Sequence, residues 1–174
     1  MPLEVRVEPL LRRPGLVTSP GVLRLLEFLE ACGGATPAAC ALLFRGGERE
    51  ARRRMDSLRA AAYAARAFLA GEELWLPRAH SVWDPASFLR QRALGWFAAR
   101  LAQSGGRVSG GTALFPSGDA LPVAVLPFDA LPPGRCVAVV AAGAKAGDLP
   151  PGYFWCREED LEASDLPSCM SYAE

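Results

Sequence analysis

The sequence predicts an α+β protein in which an N-terminal winged helix-turn-helix is followed by a long helix and a small, β-rich α/β module. Three short helical patterns occupy residues 19–59, and a candidate hairpin follows them and ends at residue 77. One long helical pattern then covers 85–103, and short apolar runs alternate with Gly and Pro turns after it. We therefore divide the chain into a winged helix-turn-helix domain (1–80) and a C-terminal helix plus β-rich module (81–174).

The first two helices are predicted from their start and stop signals. Ser19 and Thr36 are each followed by proline, which is the order typical of an N-cap residue and the first helical position. We expect the hydroxyl of Ser19 to accept a hydrogen bond from a free amide, and Thr36 to begin the second helix in the same way. Apolar residues recur at helical spacing after both starts, and a pair of glycines follows each helix.

The third helix is predicted to bury one face and to present arginine on the others. Ala51, Met55 and Leu58 sit at spacings of four and three, so they share a face. Guanidinium groups bind phosphates and read guanine edges with two donors, so the arginines predict a helix lying against double-stranded DNA. The predicted DNA contacts, including one near the hairpin, are Arg49, Arg52, Arg53, Arg54, Arg59 and Arg66. A small helical domain with a solvated basic face is the alternative.

A hairpin is predicted after the third helix. Its two strands and its turn are expected over residues 64–69, 73–77 and 70–72. The side chains expected to pack inward are Phe68, Leu74 and Leu76, with Trp75 on the opposite face. The alanine-rich run 60–65 has high helix propensity, so a longer third helix and a later first strand form the alternative.

The second half of the chain is predicted to start with a helix that is buried on two sides. Asp84 can cap this helix, and Pro85 suits its first position. Two adjacent rows of apolar residues give it a broad apolar face, so it can bridge the two modules or pair with its copy in a dimer. Strands are expected over 112–115, 123–128, 135–142 and 153–156. A short helix is expected near Glu158, and a loosely ordered tail from residue 164.

Charge is unevenly distributed along the chain. Residues 1–107 hold sixteen arginines and ten acidic residues, net +6, whereas residues 108–174 hold three basic and nine acidic residues, net −6. A basic half joined to an acidic half fits a nucleic-acid-binding module plus a separate module. The sequence has no apolar run long enough to span a membrane and no signal-peptide pattern at its start, so we expect a cytoplasmic protein.

No catalytic motif is evident. The five cysteines form no Cys-x-x-Cys pair, and Cys32, Cys40 and Cys136 lie in apolar runs, so we predict buried thiols rather than disulfides or a zinc site. Phosphate-binding, dinucleotide-binding and nucleophile-elbow patterns are absent from the sequence. We therefore predict no enzyme activity, no catalytic residue, no metal ligand and no cofactor.

The order of these parts resembles the bacterial plasmid replication-relaxation proteins. The resemblance covers roughly residues 18–161 and rests on the layout of helices and hairpin and on the arginine-rich third helix. It implies a DNA-binding protein of a mobile element that acts in replication or transfer. The C-terminal module of that family is similar to a restriction-endonuclease-like core, which needs acids and a lysine around a metal. The corresponding strand here, residues 137–142, has neither, and only Asp119 and Asp129 are possible ligands, so no nuclease is expected.

Two hypotheses follow. The first is a double-stranded DNA-binding protein that acts as a replication or transfer accessory factor or as a transcriptional regulator, with residues 81–174 forming a homodimer or binding a protein partner. The second is a protein-interaction module that uses a winged helix without binding DNA, in which the acidic half masks the basic half. The hairpin tip, residues 71–73, carries Glu72 and Glu73, which is unusual for an element that contacts phosphate.

Overall fold

The fold is mixed α+β. The computed structural model describes residues 4–10, 13–147 and 149–174, which form six helices and two sheets. The first half contains β1 (Arg6–Glu8), α1 (Pro20–Cys32), α2 (Pro37–Ala41), α3 (Gly47–Ala60), β2 (Ala64–Leu69) and β3 (Glu72–Pro77). The second half contains α4 (Pro85–Gln103), β4 (Arg107–Ser109), β5 (Thr112–Leu114), β6 (Ala120–Leu126), β7 (Val137–Val140), β8 (Phe154–Arg157), α5 (Glu158–Ala163), α6 (Leu166–Cys169) and β9 (Ser171–Tyr172). Within these described ranges, no helix combines the length and hydrophobicity needed to cross a membrane.

The first two helices begin at the predicted prolines. Thr36 caps α2 as expected, since its hydroxyl accepts a hydrogen bond from the Ala39 amide at 3.1 Å. The prediction for Ser19 is wrong, because its side chain makes no capping bond. Its carbonyl oxygen instead accepts from the amides of Val22 and Leu23, both at 3.0 Å. The first helix ends at Gly33, whose positive φ of 86° lets its amide bond back to the carbonyl of residue 29.

The third helix ends before the alanine-rich run can prolong it. Its predicted buried face is confirmed, because Ala51, Met55 and Leu58 are fully buried. After Ala60 the chain turns through Ala62 at a φ of 60°, and the Tyr63 amide donates back to the Leu58 carbonyl at 2.8 Å. This is the bonding pattern of a Schellman cap. The helix therefore stops and β2 begins at residue 64, as predicted.

The first sheet has the antiparallel order β1-β2-β3. Leu69 pairs with Glu72, so the turn consists of Ala70 and Gly71 alone, and β3 begins one residue earlier than predicted. The segment between α1 and α2 joins this sheet through one bridge, in which Ala35 and Trp75 exchange two backbone hydrogen bonds of 2.9 Å. The connection between α1 and α2 is thereby fixed to a strand residue that lies 40 positions later in the chain.

The two faces of the hairpin pack against different layers. Leu74 and Leu76 lie in a small cluster with Phe88 of α4, whereas Trp75 packs on the opposite face in the main core, as predicted. The prediction for Phe68 is wrong. Because Phe68 pairs with Glu73 in the register, it lies on the Trp75 face and is only half buried. The guanidinium groups of Arg6 and Arg66 cover its ring at 4.9 and 5.4 Å.

The second sheet has six strands in the order β4-β5-β6-β7-β8-β9. The β6–β7 and β7–β8 pairs are parallel and the others antiparallel. Every residue of β7 is buried, which confirms the predicted cover on both faces. The prediction of a loosely ordered tail is wrong. Asp165 caps α6 by accepting from the Ser168 amide at 3.1 Å, and Leu166 and Cys169 are buried, so the tail is pinned by capping and packing.

The long helix α4 lies between the two sheets and is buried along most of its length. It begins with the predicted cap, since the Asp84 carboxylate accepts from the Ser87 amide at 2.7 Å. It contacts α1, α2 and β2 on one side and α5, β6 and β7 on the other, which confirms the bridging role. One hydrophobic cluster contains side chains from both halves, so the core is continuous across the predicted boundary at residue 80.

Candidate nucleic-acid interface

The outer surface of α3 carries two free arginines. Arg49 and Arg53 are one helical turn apart and exposed, on the side opposite the buried Met55. Neither guanidinium forms an ion pair with any described residue. They line a shallow groove along the helix together with Gly46, Glu50, Arg52 and Asp56. This surface therefore presents two guanidinium groups whose donors are open to a ligand.

Arg52 is held by carboxylates on both sides. Its Nε donates to Glu48 at 2.8 Å within α3, and its Nη1 donates to Glu73 of β3 at 2.9 Å. The hydrogen bond to Glu73, followed by the one to Glu48, raises the pKa of Arg52 above its ordinary value. The guanidinium is still 48% exposed. Arg52 therefore faces the same groove as Arg49 and Arg53, but its charge is already compensated.

Arg59 and Arg66 share a carboxylate from the N-terminal strand. Glu8 of β1 accepts from Arg59 at 2.6 Å and from Arg66 at 2.7 Å. Arg66 also contacts Glu73 at 3.5 Å. Together with the Glu48–Arg52 and Arg52–Glu73 pairs, they form a connected series of ion pairs that runs from α3 to β1 and β2. The hydrogen bond from Arg66 is the main reason that the pKa of Glu8 lies below its ordinary value.

Arg54 is largely buried, unlike the other four arginines of α3. Its guanidinium pairs with Glu50 one turn earlier and lies 4.5 Å from the centroid of the Phe44 ring. It also packs directly on Gly21 of α1, where an added Cβ would lie 1.1 Å from its Nη1 atom. The side chain is only 17% exposed. Arg54 thus ties α3 to α1 and to the end of α2, and its donors point into the protein.

The acidic tip of the hairpin is folded onto the protein's own arginines. Glu72 pairs with Arg92 of α4, and Arg92 also donates to Glu158 at the start of α5 at 2.7 and 3.2 Å. The Glu158 carboxylate is fully buried and accepts a further bond from the Ala142 amide at 2.8 Å. The tip is therefore linked through α4 to the C-terminal module. Both tip carboxylates are therefore paired within the protein, Glu72 with Arg92 and Glu73 with Arg52 and Arg66.

Several of these partners were absent from the sequence-based prediction. Glu8, Arg92 and Glu158 lie 51 or more residues from at least one of their partners, and no local pattern marks such a pair. The Glu48–Arg52 and Glu50–Arg54 pairs did have a readable signal, since a glutamate four residues before an arginine on a helix is a favourable spacing. Arg52 and Arg54 have a glutamate at this spacing, whereas Arg49 and Arg53 do not.

The possible nuclease ligands are engaged elsewhere. Asp129 accepts from Arg90 at 2.7 Å and from the Val125 amide at 2.9 Å, and Asp119 accepts from the Ser117 hydroxyl at 2.7 Å. Among the described residues, no three His, Cys, Asp or Glu side chains are grouped so that they could hold a metal ion. All five cysteines are buried free thiols, and burial raises the pKa of Cys32 to about 12.

Comparison of the chain with protein-family models, with curated proteins and with solved structures gave no match.

Proposed function

We propose that this protein binds double-stranded DNA through the outer surface of α3. Helices α1 to α3, the bridge at Ala35 and the β2–β3 hairpin would together form a winged helix-turn-helix. In such a module the third helix enters the major groove and the hairpin flanks it. The observation that carries the proposal is the pair Arg49 and Arg53, which are exposed one turn apart and have no carboxylate partner in the described part of the chain.

The topology supports the winged-helix assignment. The chain runs helix, short bridge, helix, helix and hairpin, and the bridge residue Ala35 pairs with Trp75 of the second hairpin strand. The third helix buries three residues against this framework and leaves its opposite side free. A rigid helix with one buried and one basic face is the arrangement that a recognition helix requires.

The surrounding charges favour phosphate contact over base reading as the main source of affinity. Asp56 and Glu50 line the same groove as Arg49 and Arg53, so the net charge of the surface is small. Two free guanidinium groups correspond to about two phosphate contacts, and hence to weak binding whose log affinity falls with log salt at a slope of about 1.8. In keeping with the resemblance to replication-relaxation proteins, we propose that the DNA-bound protein acts as an accessory factor in replication or transfer of a mobile element, or as its transcriptional regulator.

The test is fluorescence anisotropy with a mixed-sequence duplex over a salt series. The variant Arg49→Ala/Arg53→Ala is compared with the wild type. Loss of two contacts should lower the slope of log affinity against log salt by about 1.8, because each phosphate contact contributes about 0.9. In roughly 0.1 M salt, this change in slope corresponds to binding by the variant that is about 60-fold weaker than binding by the wild type.

A matched control removes the same charge elsewhere. Arg107 and Arg135 are exposed and lie in the second half of the chain, away from α3. The variant Arg107→Ala/Arg135→Ala should keep most of the affinity and the salt slope. If both double variants weaken binding equally, the effect is due to net charge and the assignment of α3 is wrong. If the wild type shows no duplex binding at low salt, the proposed function is wrong.

A protein-interaction module is the second candidate. The observation that favours it is the compensation of Arg52, Arg59 and Arg66 by glutamates of the same chain. Trp83, which is 82% exposed just before α4, offers an apolar contact for a partner or for a second copy of the chain. Light scattering over a concentration series would show self-association, and Trp83→Ser should abolish it if this residue lies in the contact.

A further inference from the structure

We propose that Glu8 and Glu73 form a carboxylate cover that holds three arginines of the DNA-binding surface in an inhibited state. The covered arginines are Arg52, Arg59 and Arg66. The inference rests on the proposed function, and it adds a regulatory element to that surface. It predicts that the protein gains affinity for duplex DNA when the two carboxylates lose their charge, although no new basic residue is introduced.

The two carboxylates of the cover come from the two edge strands of the first sheet, β1 and β3. Glu73 follows the turn at the start of β3, and Glu8 ends β1, so the two carboxylates reach the arginines from either side of β2. The side chains of Glu73 and Glu8 are 15% and 27% exposed, whereas those of Arg52 and Arg59 are 48% and 41% exposed. Arg66 is 24% exposed and lies as deep as Glu8. Arg52 and Arg59 therefore remain at the surface, and Arg66 is held between the two carboxylates.

The pairing removes most of the charge that phosphate would recognise. Three guanidinium groups carry +3, and Glu8, Glu48 and Glu73 carry −3, at contact distances of 2.6 to 3.5 Å. A phosphate that approaches Arg66 must compete with two carboxylates that are already in place. Carboxylate and phosphate oxygens accept from a guanidinium in the same geometry, so the cover occupies the sites that DNA would use.

Glu8 and Glu73 differ from Glu48, the third glutamate in this series of ion pairs. Glu48 is half exposed and pairs with Arg52 within one helix, an arrangement that contributes little. Glu8 contacts Arg59 and Arg66 and, at 3.7 Å, the exposed Arg6, whereas Glu73 contacts Arg52 and Arg66. Both glutamates thereby connect α3 to the sheet. Glu8 lies on a three-residue strand that pairs only with β2, so it can separate from the arginines without disrupting the main core.

The experiment measures duplex binding by Glu8→Gln/Glu73→Gln with the anisotropy assay and salt series used for the wild type. Glutamine keeps a carbonyl oxygen that accepts from guanidinium, so the geometry is retained while the charge is lost. We expect the slope of log affinity against log salt to steepen by about 0.9 or more, which is at least one added phosphate contact. In roughly 0.1 M salt this corresponds to at least eightfold tighter binding.

The matched control is Glu27→Gln/Glu30→Gln. Both glutamates are exposed on α1 and form no ion pair with a described residue, so this variant gains the same two units of charge without releasing an arginine. We expect less than about threefold tighter binding, due to the general charge change alone. Thermal unfolding of each variant confirms that it is folded, and the single variant Glu8→Gln serves if the double variant is not.

The outcomes separate the two proposals. If the wild type binds through Arg49 and Arg53, but removal of the cover gives no more affinity than the α1 control, the inference is overturned and the proposed function stands. If the wild type binds through Arg49 and Arg53, and the uncovered variant binds more tightly than the α1 control, the inference is supported. If neither protein binds, or if the loss of Arg49 and Arg53 has no effect, the proposed function itself fails.

Discussion

The guanidinium of Arg92 on α4 donates two hydrogen bonds to the fully buried carboxylate of Glu158 at the start of α5, at 2.7 and 3.2 Å. The same guanidinium reaches Glu72 at the hairpin tip. One buried charge therefore connects the hairpin, the central helix and the C-terminal module. Because a buried guanidinium without its partner is costly, this pair holds α4 against the start of α5, and Glu72 adds a contact to the hairpin of the first half.

The variant Glu158→Ala should lower the free energy of unfolding by about 3–5 kcal/mol, because it removes the buried partner of Arg92, leaves only the half-exposed Glu72 beside this guanidinium, and takes the acceptor from the Ala142 amide. Urea unfolding followed by circular dichroism measures this change. The control is Arg92→Met/Glu158→Leu, which removes both charges and should cost clearly less than the single change. Equal losses in both variants would mean that packing, and not the ion pair, makes the site important.

Gly95 determines how closely α4 approaches the segment between α1 and α2. A Cβ at this position would lie 2.8 Å from the Gly34 carbonyl oxygen and 2.9 Å from the Cα of Ala35, and neither backbone atom can move away freely. The variant Gly95→Ala should therefore lower the free energy of unfolding by about 1–3 kcal/mol.

The sign of this change is diagnostic. Glycine-to-alanine substitution in an unobstructed helix raises stability by about 1 kcal/mol because alanine has the higher helix propensity. A rise in the melting temperature of Gly95→Ala would therefore contradict the close approach. The exchange rates of the Ala35 and Trp75 amides give a second measurement, since both form the bridge beside Gly95 and should lose protection.

Ala70 is strained in the hairpin turn. It has a φ of 50° and is exposed, and it is followed by Gly71 at 87°, so both central residues of the turn are left-handed. An alanine in this region costs about 1–2 kcal/mol, and glycine or asparagine costs less. We expect Ala70→Gly to raise the free energy of unfolding by about 1 kcal/mol in chemical denaturation.

An exposed helical alanine provides the opposite control. Ala31 lies near the end of α1, and Ala31→Gly should lower stability by about 0.5–1 kcal/mol through its helix propensity. Replacing alanine by glycine should therefore raise the free energy of unfolding at position 70 and lower it at position 31. A loss of stability at both would show that residue 70 is not held in a left-handed conformation.

Glu8 makes stability depend on pH in the acidic range. The hydrogen bond from Arg66 lowers the pKa of Glu8 in the folded protein below its ordinary value of 4.5. A group with a lowered folded pKa stabilises the protein above its unfolded pKa, and this stabilisation is lost as the pH falls through the folded pKa. The melting temperature of the wild type should therefore exceed that of Glu8→Gln at pH 6–7, and the difference should shrink as the pH falls below 4.5 and vanish once the pH is below the lowered pKa of the folded protein.

Glu30→Gln controls for the general effect of the charge change, because Glu30 is exposed on α1 and has no ion pair with a described residue. A difference between wild type and Glu8→Gln that stays constant from pH 7 to pH 3 would contradict the contact between Glu8 and the two arginines. Melting followed by circular dichroism at each pH is sufficient for the comparison.

The sequence alone was enough to predict the elements with local signals. Thr36 and Asp84 marked helix starts, and the spacing of Ala51, Met55 and Leu58 gave the buried face of α3. The apolar run of β7 predicted its burial. Strands β4 and β9 were missed because each has three residues or fewer, and their pairing depends on neighbours rather than on their own composition.

The candidate site was predictable only in part. The sequence identified six arginines, and the spacing of four residues marks glutamate partners for Arg52 and Arg54, but nothing local separates the free Arg49 and Arg53 from Arg59 and Arg66. Arg59 and Arg66 pair with Glu8 across 51 and 58 residues, and the sheet register alone brings these groups together. The side on which Phe68 lies was likewise fixed by a pairing register, because each step along a strand reverses the face of the sheet.

By itself, the sequence determined where α1, α2 and α4 begin, which face of α3 is buried, and that the first half is rich in arginine. Those properties depend on residues within a few positions of one another, so local physical chemistry decides them. Only the tertiary structure decided which arginines remain free, where the acidic hairpin tip lies, and that α4 joins both halves in one core. Ion pairs and packing contacts act over a few ångströms in space, and the folded chain brings these partners together from distant positions.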